Sequence, residues 1–401
     1  MFIDLHKGLK TKKHIYHIFV IFTFICIGFV QNVSAQPMTN VEVNAETGQI
    51  SWLAGGVHWY VIVEKDGYFG TSIPIINIAV ETGNEVLQQE ATNCYYRGTM
   101  ASSTWQPIAN SHAFINMCHS NPQVFTGFIS GNSQLRVIEE DPSAVGQLVM
   151  LDDNPFLEQN SPNDTKAGNN GGSGFGAIPK PDSQVLRKST ADKFPSVEIV
   201  VEPSFVETFG TPGYIHRIAS TLAFANFVYQ QSGINQIHLI SINLLDEALN
   251  KNGSTGGISH QLQKLRRSTI QLGSGDVSIL MVGGDINTAN TWGWAVDKNV
   301  CELQIAVAEN AELDSREVGR SVAFVIDLPS MLQRGWVFAH EFGHVIGAFN
   351  HVMGDPLMDG YFQSTPTLSS YVAGCDAKEE MYASCEYDAK TKKLTQFYTC
   401  N

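Results

Sequence analysis

Charge is scarce in this chain and positive charge scarcer: 16% of the 401 residues are charged, 25 basic against 39 acidic, for a formal net charge of −14. Residues 1–35 carry four Lys and one Asp, so the remainder stands at −17. An acidic surface of this kind repels nucleic acid and anionic membranes, which excludes functions that read a phosphate backbone. The cluster Lys264-Leu265-Arg266-Arg267 sits in a helix-like stretch, Ser259 to Leu272, and reads as a solvated face. Beyond residue 30 there is no apolar run long enough to span a bilayer, and no internal repeat. Cysteine is also missing from the whole interval between Cys118 and Cys301.

What is present is the composition of a globular protein, 43% hydrophobic, with length enough for two domains. Lys7, Lys10, Lys12 and Lys13 precede an apolar run from Ile15 to Val30, and Val33-Ser34-Ala35 offers small residues before a cut ahead of Gln36. Residues 1–35 therefore read as a secretory signal, with a retained membrane anchor as the alternative because the run is long. Cys26 falls inside it, leaving Cys94, Cys118, Cys301, Cys375, Cys385 and Cys400. An even number in a secreted chain predicts three disulfides. Cys94 with Cys118, Cys375 with Cys385 and Cys301 with Cys400 are the expected pairs, although spacing alone does not fix connectivity.

Residues 36–151 contain short alternating or apolar runs, at Trp59 to Val63, Ile75 to Val80, Gln134 to Ile138 and Gln147 to Leu151, separated by Gly, Asn and Pro. This predicts a β-rich domain. Residues 152–194 read as a linker: they are rich in Gly, Asn and Pro up to 182, including Gly168-Asn169-Asn170-Gly171-Gly172-Ser173-Gly174. From 195 to 401 the pattern becomes α/β. Strands are expected at Val197–Val201, Ile237–Ile242, Val277–Val282, Leu303–Ala308 and Val322–Ile326. Helices are expected at Tyr214–Gln231, Ser259–Leu272 and from about Ser330 onward.

That last helix carries His340-Glu341-Phe342-Gly343-His344. Residues four apart are neighbours on a helix surface, so both imidazoles can reach one zinc ion while Glu341 points at its open position as a general base. Gly347 follows, then Asn350, His351 and Met358. A chain reversing straight after a helix needs a positive φ, which glycine adopts without strain. The metzincin family, which this stretch resembles, takes a third ligand from such a loop, and the resemblance implies one here. His351 is favoured because neutral imidazole binds zinc better than a carboxamide oxygen, and Asn350 is the alternative. Glu379 or Glu380 would complete a differently organised site, a gluzincin, against which Gly347 and Met358 argue.

These residues resemble the metzincin signature HExxHxxGxxH with its methionine turn, and over most of its length the chain resembles the reprolysin or ADAM family of zinc proteases. Counting without gaps, the family's third-ligand slot holds Asn350, with His351 one place later; snapalysin-like metzincins have an aspartate in that slot and a histidine after it. Cys94-Tyr95-Tyr96-Arg97-Gly98, Ala113 to Cys118, Gly127-Phe128-Ile129 and Arg136 to Glu139 are similar to the reprolysin propeptide. The resemblance implies an α/β (α+β) metzincin-like catalytic domain, a central twisted sheet with an active-site helix, behind a β-rich prodomain. It also implies a secreted zinc-dependent endopeptidase, a monomer acting on protein or peptide substrates, with membrane attachment only if the N-terminal segment is retained.

The family's cysteine latch has no counterpart here, for want of a cysteine between Cys118 and Cys301. Asp152 or Asp153 could substitute but more simply belong to a solvated turn. Arg187-Lys188 is the dibasic candidate for activation cleavage. Trp292 and Trp294 flank Gly293 where the family has a substrate-holding edge strand, though packing is the more common reason for two tryptophans at alternate positions. His112, His119, His216, His238 and His260 lack ligand-like spacing. Asn163-Asp164-Thr165 and Asn252-Gly253-Ser254 are glycosylation sequons if the source is eukaryotic. A catalytically impaired metzincin-fold protein, binding a partner or acting as a decoy, is the competing function.

Overall fold

The computed structural model describes residues 35–69, 72–82, 84–118, 121, 123–131, 134–140, 144, 146–152, 185–188, 196–231, 236–249, 261–262, 265, 277–283, 293–295, 322–328, 331–346, 382–388 and 393–398. Its first part supplies β1 (Ala35–Asn44), β2 (Gln49–Ala54), β3 (Val57–Lys65), β4 (Ser72–Ile78), β5 (Glu85–Thr92), β6 (Tyr95–Met100), β7 (His112–Asn116), β8 (Thr126–Gly131), β9 (Gln134–Glu140) and β10 (Leu148–Asp152). Eight of these close into a barrel in the order β1-β10-β9-β8-β7-β6-β3-β2. Alternation drives it: β2 buries Ile50, Trp52 and Ala54 and leaves the residues between them at intermediate exposure, as a period of two requires. Trp52, Val61, Ile115, Ile129, Ile138 and Met150 fill the interior.

The hairpin β4–β5 leaves the barrel. Ile75 to Val80 was expected among the strands of the first domain, but β4 lies between β5 and the second domain's sheet. That sheet is built from β12 (Ser196–Val201), β13 (His238–Leu245), β14 (Val277–Val282), β15 (Gly293–Ala295) and β16 (Val322–Ile326). Its order is β15-β16-β14-β12-β13-β4-β5. Strands β16, β14, β12, β13 and β4 run parallel, and the two end strands are antiparallel to their neighbours. The physical reason is visible in β4 itself. Ile73 and Ile75 join the core on one face while Ile76 and Ile78 join the core on the other, a pattern only a strand covered on both sides can satisfy. By contrast β5 is an edge strand, with Val86 63% and Leu87 59% exposed between Glu85 and Glu90. A separate three-stranded sheet has β11 (Val185–Lys188) parallel to β18 (Lys393–Tyr398), and β18 antiparallel to β17 (Tyr382–Asp388).

Three helices are α1 (Pro203–Phe209), α2 (Gly213–Gln231) and α3 (Met331–Ile346). Proline at its start suits α1, since the missing N–H is one the first turn cannot use; nothing in the sequence pattern had pointed to this helix. Helix α2 is the pivot of the molecule, with barrel on one side and α3 on another. Phe128 of β8 meets Phe224 and Phe227 at ring-centroid distances of 5.8 and 5.7 Å. The Asn226 side chain donates to the Ile237 carbonyl and accepts from the Ile237 N–H, fixing the approach to β13. Strands expected at 197–201, 277–282 and 322–326 and the helix at 214–231 are present within a residue or so. Of the Ser259–Leu272 helix only 261–262 and 265 are described, with Leu262 and Leu265 buried. The 303–308 stretch lies outside the described residues. Among those described, no helix is long and apolar enough to cross a membrane.

Three histidines sit where the barrel meets the second domain. His216 Nδ1 contacts the Tyr95 hydroxyl at 3.1 Å, His112 faces Phe227 and Gln231, and His238 faces Tyr68 with Arg97 nearby. Burial lowers the pKa of all three below 6.5, and the Arg97 charge lowers His238 further. The native state therefore binds these protons more weakly than the unfolded chain does. Their stabilising effect is complete above pH 6.5 and declines as pH falls toward the depressed native values. Asp66, raised by burial, acts in the opposite sense at lower pH. The urea midpoint is expected to fall between about pH 7.5 and 5.5, and changing the three histidines to Gln is expected to flatten that slope.

Candidate active site

Helix α3 is buried around its whole circumference. His340 is 2%, Glu341 3% and His344 1% exposed. The His340 ring stacks on Trp336 with centroids 5.0 Å apart, and meets the His344 ring nearly at right angles at 4.7 Å. Their Nε2 atoms are 3.1 Å apart. Two nitrogens sharing a tetrahedral zinc at the usual bond length stand about 3.3 Å apart, so this pair fits a common ion with little adjustment. Without an ion, the same separation fits one ring donating an N–H to the other.

Helix α2 holds that helix in place. The Tyr229 hydroxyl donates to the carbonyl of Ala339, the residue just before His340, at 2.5 Å, and its ring lies 6.0 Å from that of Phe342. Gly335 allows the close approach. A Cβ there would stand 2.5 Å from Cδ1 and 2.6 Å from Cβ of Phe224, so the helix-weakening cost of a mid-helix glycine is offset by packing. At the foot of α3, Arg217 binds Asp327 at 2.5 Å, and Arg217 and Arg334 both donate to the Leu328 carbonyl. Arg334 also reaches the Thr221 hydroxyl at 3.3 Å. Its pKa is lowered to about 9, first by burial and then by Arg217, against the opposing pull of Asp327 and of Glu139 on β9; it stays charged at neutral pH.

The end strand β15 lies against the carboxylate. A Cβ on Gly293 would fall 2.5 Å from Glu341 Oε1, 2.6 Å from Cγ and 2.8 Å from Cδ. Glu341 is thus walled by bare backbone at a sheet edge, the place where an extended peptide can add as a further strand. Neither Gly293's spacing role nor the Tyr229 bond could be read from the sequence. Tyr229 does share a helical face with Leu222 and Asn226, which is the signal that was available.

Of the other residues singled out from sequence, Cys94 and Cys118 are bridged, with Cα atoms 5.1 Å apart. Asp152 ends β10 opposite Arg136. Arg187 and Lys188 lie in β11 opposite Gln396 and Phe397, so a protease seeking that bond must first detach a strand from its ladder. Cys385 lies in β17 opposite Gln396. Gly347, Asn350, His351, Met358, Glu379, Glu380, Cys301, Cys375, Cys400, Asp153, Trp292, both sequons and residues 1–34 lie outside the described residues. Among the described residues no group of three or more metal-ligating side chains occurs.

Residues 215–352 match the family described as metallo-peptidase family M12B, reprolysin-like. The matched span runs from the start of α2 through α3 to one residue past His351, and leaves out the barrel and Met358. It supports a zinc metallopeptidase acting on protein or peptide substrates. Similar solved structures include metalloproteinase-II from Bacteroides fragilis, 13% identical, covering 78% of this chain and 84% of that one at a TM-score of 0.39. A chaperone-substrate complex is 10% identical, covering 60% of this chain and 34% of that one at a TM-score of 0.30. No curated protein matches the sequence.

Gly293→Ala is expected to push the Glu341 carboxylate aside, lowering kcat/KM on a protein substrate by on the order of 10²-fold while leaving the melting temperature nearly unchanged. Gly335→Ala is expected to do the reverse of that stability result: overpacking against Phe224 should cost about 1–3 kcal/mol in denaturant unfolding.

Proposed function

We propose that this chain is a secreted zinc-dependent endopeptidase. The observation that carries the reading is the pair of buried imidazoles one helical turn apart, Nε2 to Nε2 at 3.1 Å, with the buried Glu341 carboxylate beside them against an edge strand. His340 and His344 would hold the ion, with His351 as third ligand, Asn350 as the alternative and Met358 in the turn that follows. A zinc ion bound there supplies polarisation of the scissile carbonyl and acidifies a water toward neutral pH.

Glu341 takes the proton from the attacking water as its oxygen bonds to the carbonyl carbon, then delivers that proton to the departing amine nitrogen as the C–N bond breaks. Trp336, stacked on His340, and Tyr229, bonded to the carbonyl before it, keep the imidazole oriented and exclude water from behind it. Strand β15 ends the sheet among the described residues, and an extended substrate pairing along it would lie beside Glu341. Secretion is supported by the lysine-flanked apolar N-terminus and by the Cys94–Cys118 bridge, which suits an oxidising destination.

Glu341→Gln is expected to retain stoichiometric zinc by mass spectrometry while hydrolysis of an unfolded protein substrate falls roughly 10²–10⁴-fold. Undiminished hydrolysis would remove Glu341 from the mechanism. His351→Ala is expected to lose zinc and Asn350→Ala to keep it; the opposite outcome assigns the third ligand to Asn350.

A further inference from the structure

We propose that residues 36–151 are a permanent part of the working protein: after any cut in the segment joining them to the second domain, they stay bound to it as a two-chain body. The two pieces share a sheet and a core. Strand β4 pairs with β13 from Ile75 opposite Ile242 to Ile78 opposite Leu245, and the turn beyond is tied by Val80 N–H to Asp246 Oδ1 at 2.9 Å and Asp246 N–H to the Ile78 carbonyl at 3.1 Å. Departure of the first piece would take β4 and β5 away together and turn β13, now an interior strand, into an edge with an open ladder.

The apolar contact is of the same kind. Phe69, Ile75, Tyr95, Phe114 and Phe128 are each 2% exposed or less and lie in one core with Val197, Phe224, Val228 and Phe342. On the other face of the sheet Ile76 and Ile78 pack with Val200, Leu249 and Leu280. A surface this apolar and continuous resembles a domain interior divided in two, the character of obligate interfaces and not of transient ones. Polar pairs fix its register: Arg97 Nη1 donates to Gln236 Oε1 at 2.8 Å, and the Tyr95 hydroxyl meets His216 Nδ1 at 3.1 Å. The only cysteines in residues 36–151 are Cys94 and Cys118, which bridge each other, so the association is noncovalent.

The barrel also reaches the active helix indirectly. It packs on one side of α2, and α2 positions α3 through Phe224 and Tyr229. Loss of the barrel would therefore loosen the support of His340 and His344, which is the reverse of what release of an inhibitory segment achieves.

The test replaces residues 168–174 with the recognition sequence of a site-specific protease in the full chain, cuts to completion as judged on a denaturing gel, and runs the product on a sizing column with light scattering at neutral pH. Both fragments are expected in one peak at the mass of the uncut chain; a separate peak of the N-terminal fragment beside a folded, monodisperse remainder overturns the proposal. If the altered chain fails to fold, hydrogen exchange on the unaltered chain decides it. The β4 amides are expected to be protected as strongly as those of β12 and β14, and exchange of β4 at the rate of surface loops overturns it. Neither readout depends on peptidase activity, so each can fail without touching the function proposed above.

Discussion

How closely α2 and α3 can approach sets the position of everything at the candidate site. A glycine on α3 receives the Phe224 ring, and one turn further on the Tyr229 hydroxyl grips the carbonyl before His340. An imidazole pair needs rigid backing to hold two nitrogens a bond-length's reach from one point, and here a neighbouring helix supplies that backing. Because α2 is itself gripped between α3 and the barrel, a disturbance at Phe128 or Tyr95 has a packed route to the site.

Charge plays a different part at the foot of α3. Two guanidinium groups share one carboxylate and one carbonyl in a nearly closed environment, with Arg217 also lying 4.2 Å over the Phe209 ring. A lone buried Arg334 would carry a heavy desolvation cost, and removing Asp327 would leave two like charges facing each other. The arrangement ties α1, α2, the end of β16 and the start of α3 together, which is a gain in geometry more than in net stability.

Local pattern carried much of this into the sequence. Four-residue spacing put His340 and His344 on one helical face, and runs such as Val277 to Val282 read directly as covered strands. What stayed hidden was long-range. Ile73, Ile75, Ile76 and Ile78 already put apolar residues on both faces of one short strand, but its partner lies far along the chain at β13, and no local signal names a partner. Gly293 is equally opaque, since its significance comes from a carboxylate on another element arriving where a side chain would have been. The barrel's closure likewise depends on β1 meeting β10, the two ends of the segment.

Among the described residues the barrel's eight strands leave no free edge, and the seven-stranded sheet has two end strands. One is the three-residue β15 beside Glu341, too short to template another chain for long. The other is β5, where Val86 and Leu87 face solvent between Glu85 and Glu90 of the same strand. Those carboxylates act as gatekeepers against edge-to-edge stacking of copies, helped by the strongly acidic surface. Without those two charges the guard is gone, and association of copies would begin at β5, at the opposite end of the sheet from β15 and the imidazoles.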